Sequence, residues 1–299
     1  MTSDSPRGPL GAGPTRFGVI IGAMKSGTTS VFDLLSQHPQ IAAASRKEAD
    51  FFSDHAAPTD DWSDYLDLWA WDSKEHRIAL DASVAYAKAP WVPDVPKRMA
   101  SVPGVDYRFL YILRHPLRRI ESQVRHSLYA GWGQPLDEGL TDDLLGFSRY
   151  ASQLDAYLEY FTREQILLVT LEEFTEAPGD VLARCCRHFG VDPDFGFEGM
   201  SEPRNTGEFF SVRPGVRSFL QRFRLDAIAR ALLPRKLQQA IRGFLGRSMA
   251  KEDALDRYRL NGEEEKQLLV SLQPELDRLA IEFGVEVERY WTLPVSRDS

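Results

Sequence analysis

The stretch from Phe17 to Leu35, FGVIIGAMKSGTTSVFDLL, constrains the fold of this 299-residue chain more than any other. A short apolar run meets a loop bounded by Gly22 and Gly27, and helical periodicity begins directly after the loop. Such a loop presents backbone N–H groups to an anion at a helix N-terminus, where the helix dipole also favours negative charge. Lys25 adds a positive charge. Three hydroxyl groups follow it, those of Ser26, Thr28 and Thr29. The stretch therefore predicts a strand, a phosphate-binding loop and a helix.

A charged cluster follows the first predicted helix, in the segment Ser45–Phe52 (SRKEADFF). Its ionisable groups directly precede two phenylalanines, and an apolar surrounding can raise the pKa of a carboxylate into the range that suits a general base. Glu48 is therefore a candidate base. A solvated charge cluster ahead of two buried phenylalanines would give the same pattern, but the preceding loop favours catalysis.

Apolar runs and helical patterns alternate along the rest of the first two thirds of the chain. Further strands are predicted at Arg77–Asp81, Phe109–Leu113 and Ile166–Leu171. Helices are predicted at Val95–Ala100, Leu117–Leu128, Tyr150–Phe161 and Val181–Phe189, with a short surface helix within Asp54–Lys74 and a longer C-terminal helix at Asn261–Gly284. Nearly continuous apolar strands are typical of a parallel sheet that is buried on both faces. The order predicts an α/β fold, a central mostly parallel sheet flanked by helices, with extra C-terminal helices.

Two charged residues stand where predicted strands end. Arg114 directly follows the third predicted strand, and ligands of open α/β sheets lie beyond the carboxyl ends of the strands. Ser122 comes eight residues later, roughly a turn and a half inside the next helix. A guanidinium and a hydroxyl in this arrangement suit a phosphate group. Asp81 ends the second strand, a position that would also suit the magnesium-binding acid of a nucleotide hydrolase.

Three blocks together resemble the sulfotransferases that use 3'-phosphoadenosine 5'-phosphosulfate (PAPS). They are the loop GxxKSGTT with its apolar helix and the following His38-Pro39, the KExxFF segment, and the pair of Arg114 and Ser122. The KExxFF motif is similar to that of the carbohydrate (heparan-type) branch of that family. The resemblance implies a fold like that of the P-loop NTPases, a product adenosine 3',5'-bisphosphate (PAP), and no requirement for a metal.

The resemblance also implies roles for individual residues. Lys25 and Glu48 would be catalytic, with Lys25 stabilising the leaving phosphate and Glu48 taking the proton of the acceptor hydroxyl. The donor would be held by Lys25, Ser26, Gly27, Thr28, Thr29, Arg114 and Ser122, with a weaker expectation for Arg213 and Arg217. The acceptor would be lined by Lys47, Asp81, Ser83, Tyr86 and His126. His55 is a reserve candidate for the base, because some members of the family use a histidine.

Composition limits the kinds of binding partner and the cellular compartment that we expect. A net charge of -8 argues against a nucleic-acid binder, which needs a basic face. Only two cysteines occur, at adjacent positions 185 and 186, which favours a reducing, cytoplasmic setting. Residues 1–15 read as a disordered tail before a single domain, with an α/β core at 16–192 and a loop and helical part at 193–299. Residues 213–251 carry ten Lys or Arg and one acid, which allows a peripheral membrane contact.

The acceptor and one rival function stay open on the sequence alone. A glycan, a glycolipid or a hydroxylated small metabolite fits equally well, and no pattern indicates an oligomeric state. The main alternative is a magnesium-dependent nucleotide kinase or hydrolase of P-loop type that uses Lys25 and Asp81. Against it stands the lysine, which precedes the last glycine of the loop instead of following it as in a Walker A motif. A non-catalytic nucleotide-binding module is a third reading, against which Glu48 stands.

Overall fold

The computed structural model describes residues 13–53, 62–130, 145–200 and 258–291. Five strands form one sheet in the order β2-β3-β1-β4-β5, and all four strand pairs are parallel. The strands are β1 (Arg16–Gly22), β2 (Ile41–Ala43), β3 (Ile78–Ala82), β4 (Asp106–Leu113) and β5 (Ile166–Thr170). The predicted α/β class is confirmed. The sequence did not predict β2, because three residues are too few to show a period of two.

Helices connect and cover the strands. Along the chain they are α1 (Thr28–Leu35), α2 (Trp62–Leu66), α3 (Val95–Ala100), α4 (Pro116–Ala130), α5 (Tyr150–Leu158), α6 (Leu171–Glu176), α7 (Pro178–Phe189), α8 (Gly262–Ile281) and α9 (Val287–Tyr290). Short 3-10 turns lie at Val84–Ala87 and Arg163–Gln165. Helix α3 has the predicted bounds, and α8 falls within its predicted range. Asn261 caps α8 by accepting the N–H groups of Glu263 and Glu264.

Apolar side chains cover both faces of the sheet. Phe17, Val19 and Ile21 of β1 point to one buried cluster, and Ile20 points to the other, as the alternation of a strand requires. The prediction of a surface helix around Trp62 was wrong in one respect. Trp62 and Tyr65 are buried, and the centroid of each ring lies 5.8 Å from that of Phe17. Helix α2 therefore covers the N-terminal end of β1. An aromatic pattern alone does not show which strand lies beneath it.

The C-terminal helices pack on the core beside α4 and α5. Helix α8 contacts both, and the chain then reaches the buried Trp291. Within the described ranges, no helix is both long and apolar enough to cross a bilayer. Cys185 and Cys186 are buried free thiols in α7. Several predictions fall outside the described residues, namely those for His55, Arg213, Arg217, the basic segment 213–251 and most of the tail 1–15.

Candidate functional site

The loop between β1 and α1 forms the centre of the site. The N–H group of Ala23 donates to the carbonyl of Ile112 at 2.7 Å, which ties the start of the loop to β4. Gly27 ends the loop with a φ of +80°, and a Cβ atom there would lie 2.7 Å from Cδ1 of Leu171. Only glycine meets both conditions without strain. The N–H groups of the first turn of α1 have no acceptor within the helix and are therefore available to an anion.

Ser26 supplies the clearest sign that the loop is built for a ligand. Its side chain is 0% exposed, and its hydroxyl has no hydrogen-bond partner among the described residues. A buried hydroxyl without a partner costs free energy, so such groups are uncommon unless a ligand or water satisfies them. Thr28 and Thr29 follow in the first turn of α1. The hydroxyls and N–H groups at this turn fit the phosphate of a nucleotide.

Lys25 is half-buried within this loop. Burial, together with the positive charges of Lys47 and Arg114, lowers the pKa of its ammonium to about 8, and the negative charge of Glu48 opposes this shift. The three cations and the carboxylate therefore lie close enough to influence one another. The structure thus brings together the lysine and the glutamate that the sequence predicted to be catalytic.

The Glu48 side chain is held by one partner on each oxygen. Its Oε2 accepts the N–H group of Val84 at 2.8 Å, and its Oε1 forms an ion pair with Lys47. The backbone N–H of Glu48 donates to the carbonyl of Ala82 at 2.8 Å, directly after β3. These contacts fix the carboxylate at the end of the strand. The contact with Lys47 orients the Glu48 carboxylate, whereas the sequence predicted Lys47 as an acceptor contact.

Left-handed backbone is concentrated at the same place. Among the described residues, four residues other than glycine have positive φ, and three of them are Lys25 (68°), Glu48 (57°) and Asp50 (55°). The fourth is Asp94. Each such residue costs roughly 1–2 kcal/mol relative to ordinary backbone. Strain of this kind persists where the surrounding structure enforces it and is concentrated at functional sites.

Arg114 joins the end of β4 to the loop. Its Nη1 donates to the carbonyl of Lys25 at 2.8 Å, and its own carbonyl accepts the Tyr150 hydroxyl at 2.8 Å. Burial lowers the pKa of its guanidinium, and the negative charge of Glu172 opposes that effect. Ser122 is half-buried on α4, in the helix whose Glu121 and Arg125 act electrostatically on Arg114. The pair predicted for a second phosphate therefore lies on one side of the loop.

Three of the residues predicted to line the acceptor instead support the site from beneath. Asp81 is fully buried, and its Oδ2 accepts the hydroxyls of Tyr65 at 2.9 Å and Tyr86 at 3.1 Å. Burial raises the pKa of Asp81 to about 6, although the two tyrosine hydrogen bonds oppose the rise. Ser83 is also buried, and its Oγ accepts the N–H group of Asp50 at 3.0 Å. A side chain at a strand end can face either the ligand or the buried core, and the sequence could not show which of these applies to each residue.

That His126 lines the acceptor stays a prediction. It is half-buried on α4, and its pKa is lowered first by burial and then by the positive charge of Lys25.

Three residues that sequence reasoning missed take part in this arrangement. Asp50 follows Glu48 closely, and its carboxylate beside a candidate base was a signal that could have been read. The charges of Glu48 and Asp50 act on Lys88, but Lys88 belongs to no motif, so nothing in the sequence was a reason to select it. Glu172 accepts the N–H group of His115 at 3.0 Å, beside Arg114, although its segment read as structural.

Comparison with known proteins points to one family. The sulfotransferase domain family matches residues 18–203. Heparan sulfate glucosamine 3-O-sulfotransferase 6 from Homo sapiens is 24% identical over an alignment of 205 positions that covers 62% of this chain and 57% of that protein. The match thus spans little more than half of that relative. The crystal structure of a sulfotransferase from Alicyclobacillus acidocaldarius has a TM-score of 0.51 at 24% identity, covers 83% of this chain and 98% of its own, and shows a shared fold. Since the family match covers more than half of the chain, the protein belongs to the sulfotransferase domain family, which confirms the resemblance.

Proposed function

We propose that the protein transfers a sulfuryl group from PAPS to the hydroxyl of an acceptor, with Glu48 as general base and Lys25 as the cation that stabilises the leaving phosphate. The observation that carries the proposal is the meeting of Lys25 and Glu48 at a loop whose buried Ser26 hydroxyl lacks a partner. Membership of the sulfotransferase domain family supports the same reaction.

The residues of the loop would bind the 5'-phosphosulfate end of the donor. N–H groups of the first turn of α1 and the hydroxyls of Ser26, Thr28 and Thr29 supply neutral donors, and Lys25 supplies a charge. Arg114 and Ser122 would hold the 3'-phosphate, and the same contacts would retain PAP as the product. The bond from Arg114 to the carbonyl of Lys25 links the two phosphate sites, so the loop and the arginine form one unit.

Each catalytic side chain has a distinct task. PAPS brings a sulfuryl group that is already activated on a phosphate. Glu48 accepts the proton of the acceptor hydroxyl as the new S–O bond forms, and its contacts with Lys47 and Val84 keep it oriented. Lys25 faces the negative charge that develops on the bridging oxygen as the old S–O bond breaks and PAP leaves with the electron pair. Positioning and electrostatics supply the rate enhancement.

The surroundings of Asp81 favour this reading over a magnesium-dependent kinase or hydrolase. A magnesium ligand needs carboxylate oxygens that reach the metal and its water molecules. Asp81 is fully buried, and one of its oxygens already accepts two tyrosine hydroxyls. Its raised pKa, due chiefly to burial, also disfavours the ionised form that a cation requires.

The substitution Glu48→Gln tests the assignment. It keeps the shape of the side chain and removes the base, so we expect transfer of radiolabelled sulfate to a panel of hydroxylated acceptors to fall about 10²- to 10⁴-fold. The affinity for PAP, measured by calorimetry, should stay within a factor of two. Glu75→Gln, at an exposed glutamate, is the control and should change neither quantity. Tighter binding of ATP with magnesium than of PAP would contradict the proposed function.

A further inference from the structure

A second carboxylate, that of Asp50, lies two residues after the proposed base, and Ser83 and Lys88 both act on it. Its backbone is left-handed, with a φ of 55°, and its N–H donates to Ser83 Oγ at 3.0 Å, which fixes the direction of the residue. Its Oδ1 is buried without a hydrogen-bond partner among the described residues. Burial and the charge of Glu48 raise the pKa of Asp50, while Lys88 opposes them. An acid oxygen held this way is ready to accept a hydrogen bond from a ligand.

Lys88 completes a pair of opposite charges with Asp50. It follows the 3-10 turn Val84–Ala87, whose first N–H donates to Glu48 and whose capping residue Ser83 accepts the N–H of Asp50, so both acids and the lysine lie near this turn. Burial lowers the pKa of Lys88, and the charges of Glu48 and Asp50 oppose that effect. The guanidinium of Arg119 also acts on Lys88, but it is fully buried and donates to Ser148 and Gln123.

Aromatic rings extend this side of the site. The Nζ of Lys88 lies 5.4 Å from the ring centroid of Phe147, a cation–π distance. The ring of Trp91 stands edge-on to Phe147 at 5.2 Å and is 37% exposed. A Cβ atom at Gly146 would lie 2.1 Å from Trp91 ring carbons, so the indole lies directly on the glycine backbone. The exposed ring offers a flat apolar surface close to the charged pair.

We propose that Asp50, Lys88 and Trp91 form the acceptor-binding wall and select an uncharged, polyhydroxylated ring over its acidic counterpart. The inference rests on the proposed sulfuryl transfer, because it places the wall beside Glu48. A hydroxyl next to the reacting one donates to the free oxygen of Asp50, and the apolar face of the ring lies on Trp91. An acidic acceptor would bring its carboxylate close to two existing carboxylates, and like charges at short range are unfavourable. Lys88 offsets part of that repulsion.

A pair of acceptors that differ only in charge tests the selectivity. The probes are 4-nitrophenyl β-D-glucopyranoside and 4-nitrophenyl β-D-glucuronide, each assayed for sulfate transfer from radiolabelled PAPS by the full-length protein. The wild type should use the glucoside with the higher kcat/KM. Asp50→Asn should lower kcat/KM for the glucoside by about tenfold or more, the effect of losing a hydrogen bond to a charged group. It should also raise the use of the glucuronide relative to the glucoside.

The opposite charge change should move the ratio the other way. Lys88→Gln leaves the carboxylates unopposed, so the glucuronide should lose more activity than the glucoside. Trp91→Ala should weaken both acceptors and leave their ratio unchanged. Asp94→Asn and Lys97→Gln are matched controls, because Asp94 shares the left-handed backbone of Asp50 and both residues are exposed a few positions after Trp91. Neither control should change the ratio.

Three results would overturn the inference. They are preference of the wild type for the glucuronide, a ratio that neither charge change moves, and no transfer to the glucoside while PAP still binds tightly. Binding of PAP in the same samples separates this failure from that of the proposed function. If PAP does not bind, the sulfuryl-transfer assignment itself is wrong and the acceptor wall is rejected with it.

Discussion

Glu172 is predicted to position Arg114, and with it the 3'-phosphate, although it contacts neither of the proposed catalytic groups. Its Oε1 accepts the N–H group of His115 at 3.0 Å, and its Oε2 accepts the indole N–H group of Trp291 at 3.0 Å. One side chain of α6 thus joins the residue after Arg114 to the C-terminal part of the chain. Its negative charge also acts on the Arg114 guanidinium. These contacts make the turn at the end of β4 rigid.

The substitution Glu172→Gln gives the size of this effect. Glutamine has one acceptor oxygen, so one of the two N–H donors loses its partner and faces an amide N–H₂ group instead. Losing a hydrogen bond to a charged group costs about 1.5–3 kcal/mol, and the lower value applies because Glu172 is only half-buried. We therefore expect the free energy of unfolding to fall by about 1.5 kcal/mol and the Tm by roughly 3 °C. If the binding of PAP has to restore the turn, its affinity falls by up to about tenfold.

Calorimetry with two nucleotides separates positioning from general damage. PAP carries the 3'-phosphate and 5'-AMP lacks it, so the affinity for PAP should fall while that for 5'-AMP stays within a factor of two. Trp291→Phe removes the indole N–H group together with part of the buried ring and should change the same ratio by a smaller factor. Glu173→Gln is the control, because the neighbouring glutamate pairs with Arg184 and should leave the ratio unchanged. Equal losses for both nucleotides, or none, would refute the positioning role.

Three further predictions concern the loop and its support. The pKa of Lys25 is about 8 in the free protein, chiefly because of burial, and a bound phosphate would raise it. The affinity for PAP should therefore be full at pH 7 and fall as the pH rises above about 8, by up to about tenfold per pH unit. Calorimetry from pH 7 to 9.5 should show this fall, and Lys25→Arg should abolish it. The pKa of Asp81 is about 6 in the folded protein against 3.8 as its ordinary value, so the wild type loses stability as the pH rises from about 4 to about 6. Denaturant unfolding should therefore show Asp81→Asn gaining about 2.5 kcal/mol on the wild type between pH 4 and pH 7.5, at about 1.4 kcal/mol for each pKa unit, and an equal difference at both pH values would contradict this origin. Gly27→Ala should cost at least about 1–2 kcal/mol of stability and most of the PAP affinity, because φ is left-handed there and the new Cβ atom would lie 2.7 Å from Leu171. Gly179→Ala, where a Cβ atom meets nothing within 4 Å, should leave both quantities intact. Similar results for the two variants would show that the loop tolerates a side chain.

Much of the fold could be predicted because its signals are local. The apolar run before Gly22, the glycine at position 27 and the periodicity after it predicted β1, the loop and α1 directly. The bounds of α3 were predicted to the residue, and four of the five strands of the described sheet appeared as apolar runs. The short strand β2 is recognisable only through its pairing with β3, which is a contact between distant parts of the chain.

The candidate site divides in the same way. Three residues stood out in the sequence. Lys25 lies in the glycine-bounded loop, Glu48 precedes an aromatic pair, and Arg114 directly follows a strand. The outcome for Asp81 could not be foreseen, because a strand-end carboxylate looks the same whether it faces a ligand or two buried tyrosines. The contributions of Asp50, Lys88 and Glu172 depend on partners that are far away along the chain.

The sequence alone determined the order of the longer strands and helices, the glycine-bounded loop between β1 and α1, and the family, because propensity, periodicity and short motifs depend on neighbouring residues. Only the tertiary structure decided which polar groups interact: the charges of Glu48 and Lys25 at the loop, those of Lys88 and Asp50 beside the rings, and the Glu172 carboxylate with the indole N–H group of Trp291. Parallel pairing through crossovers brings the strand ends to one edge of the sheet, and the free energies of burial and charge then depend on which side chains meet there.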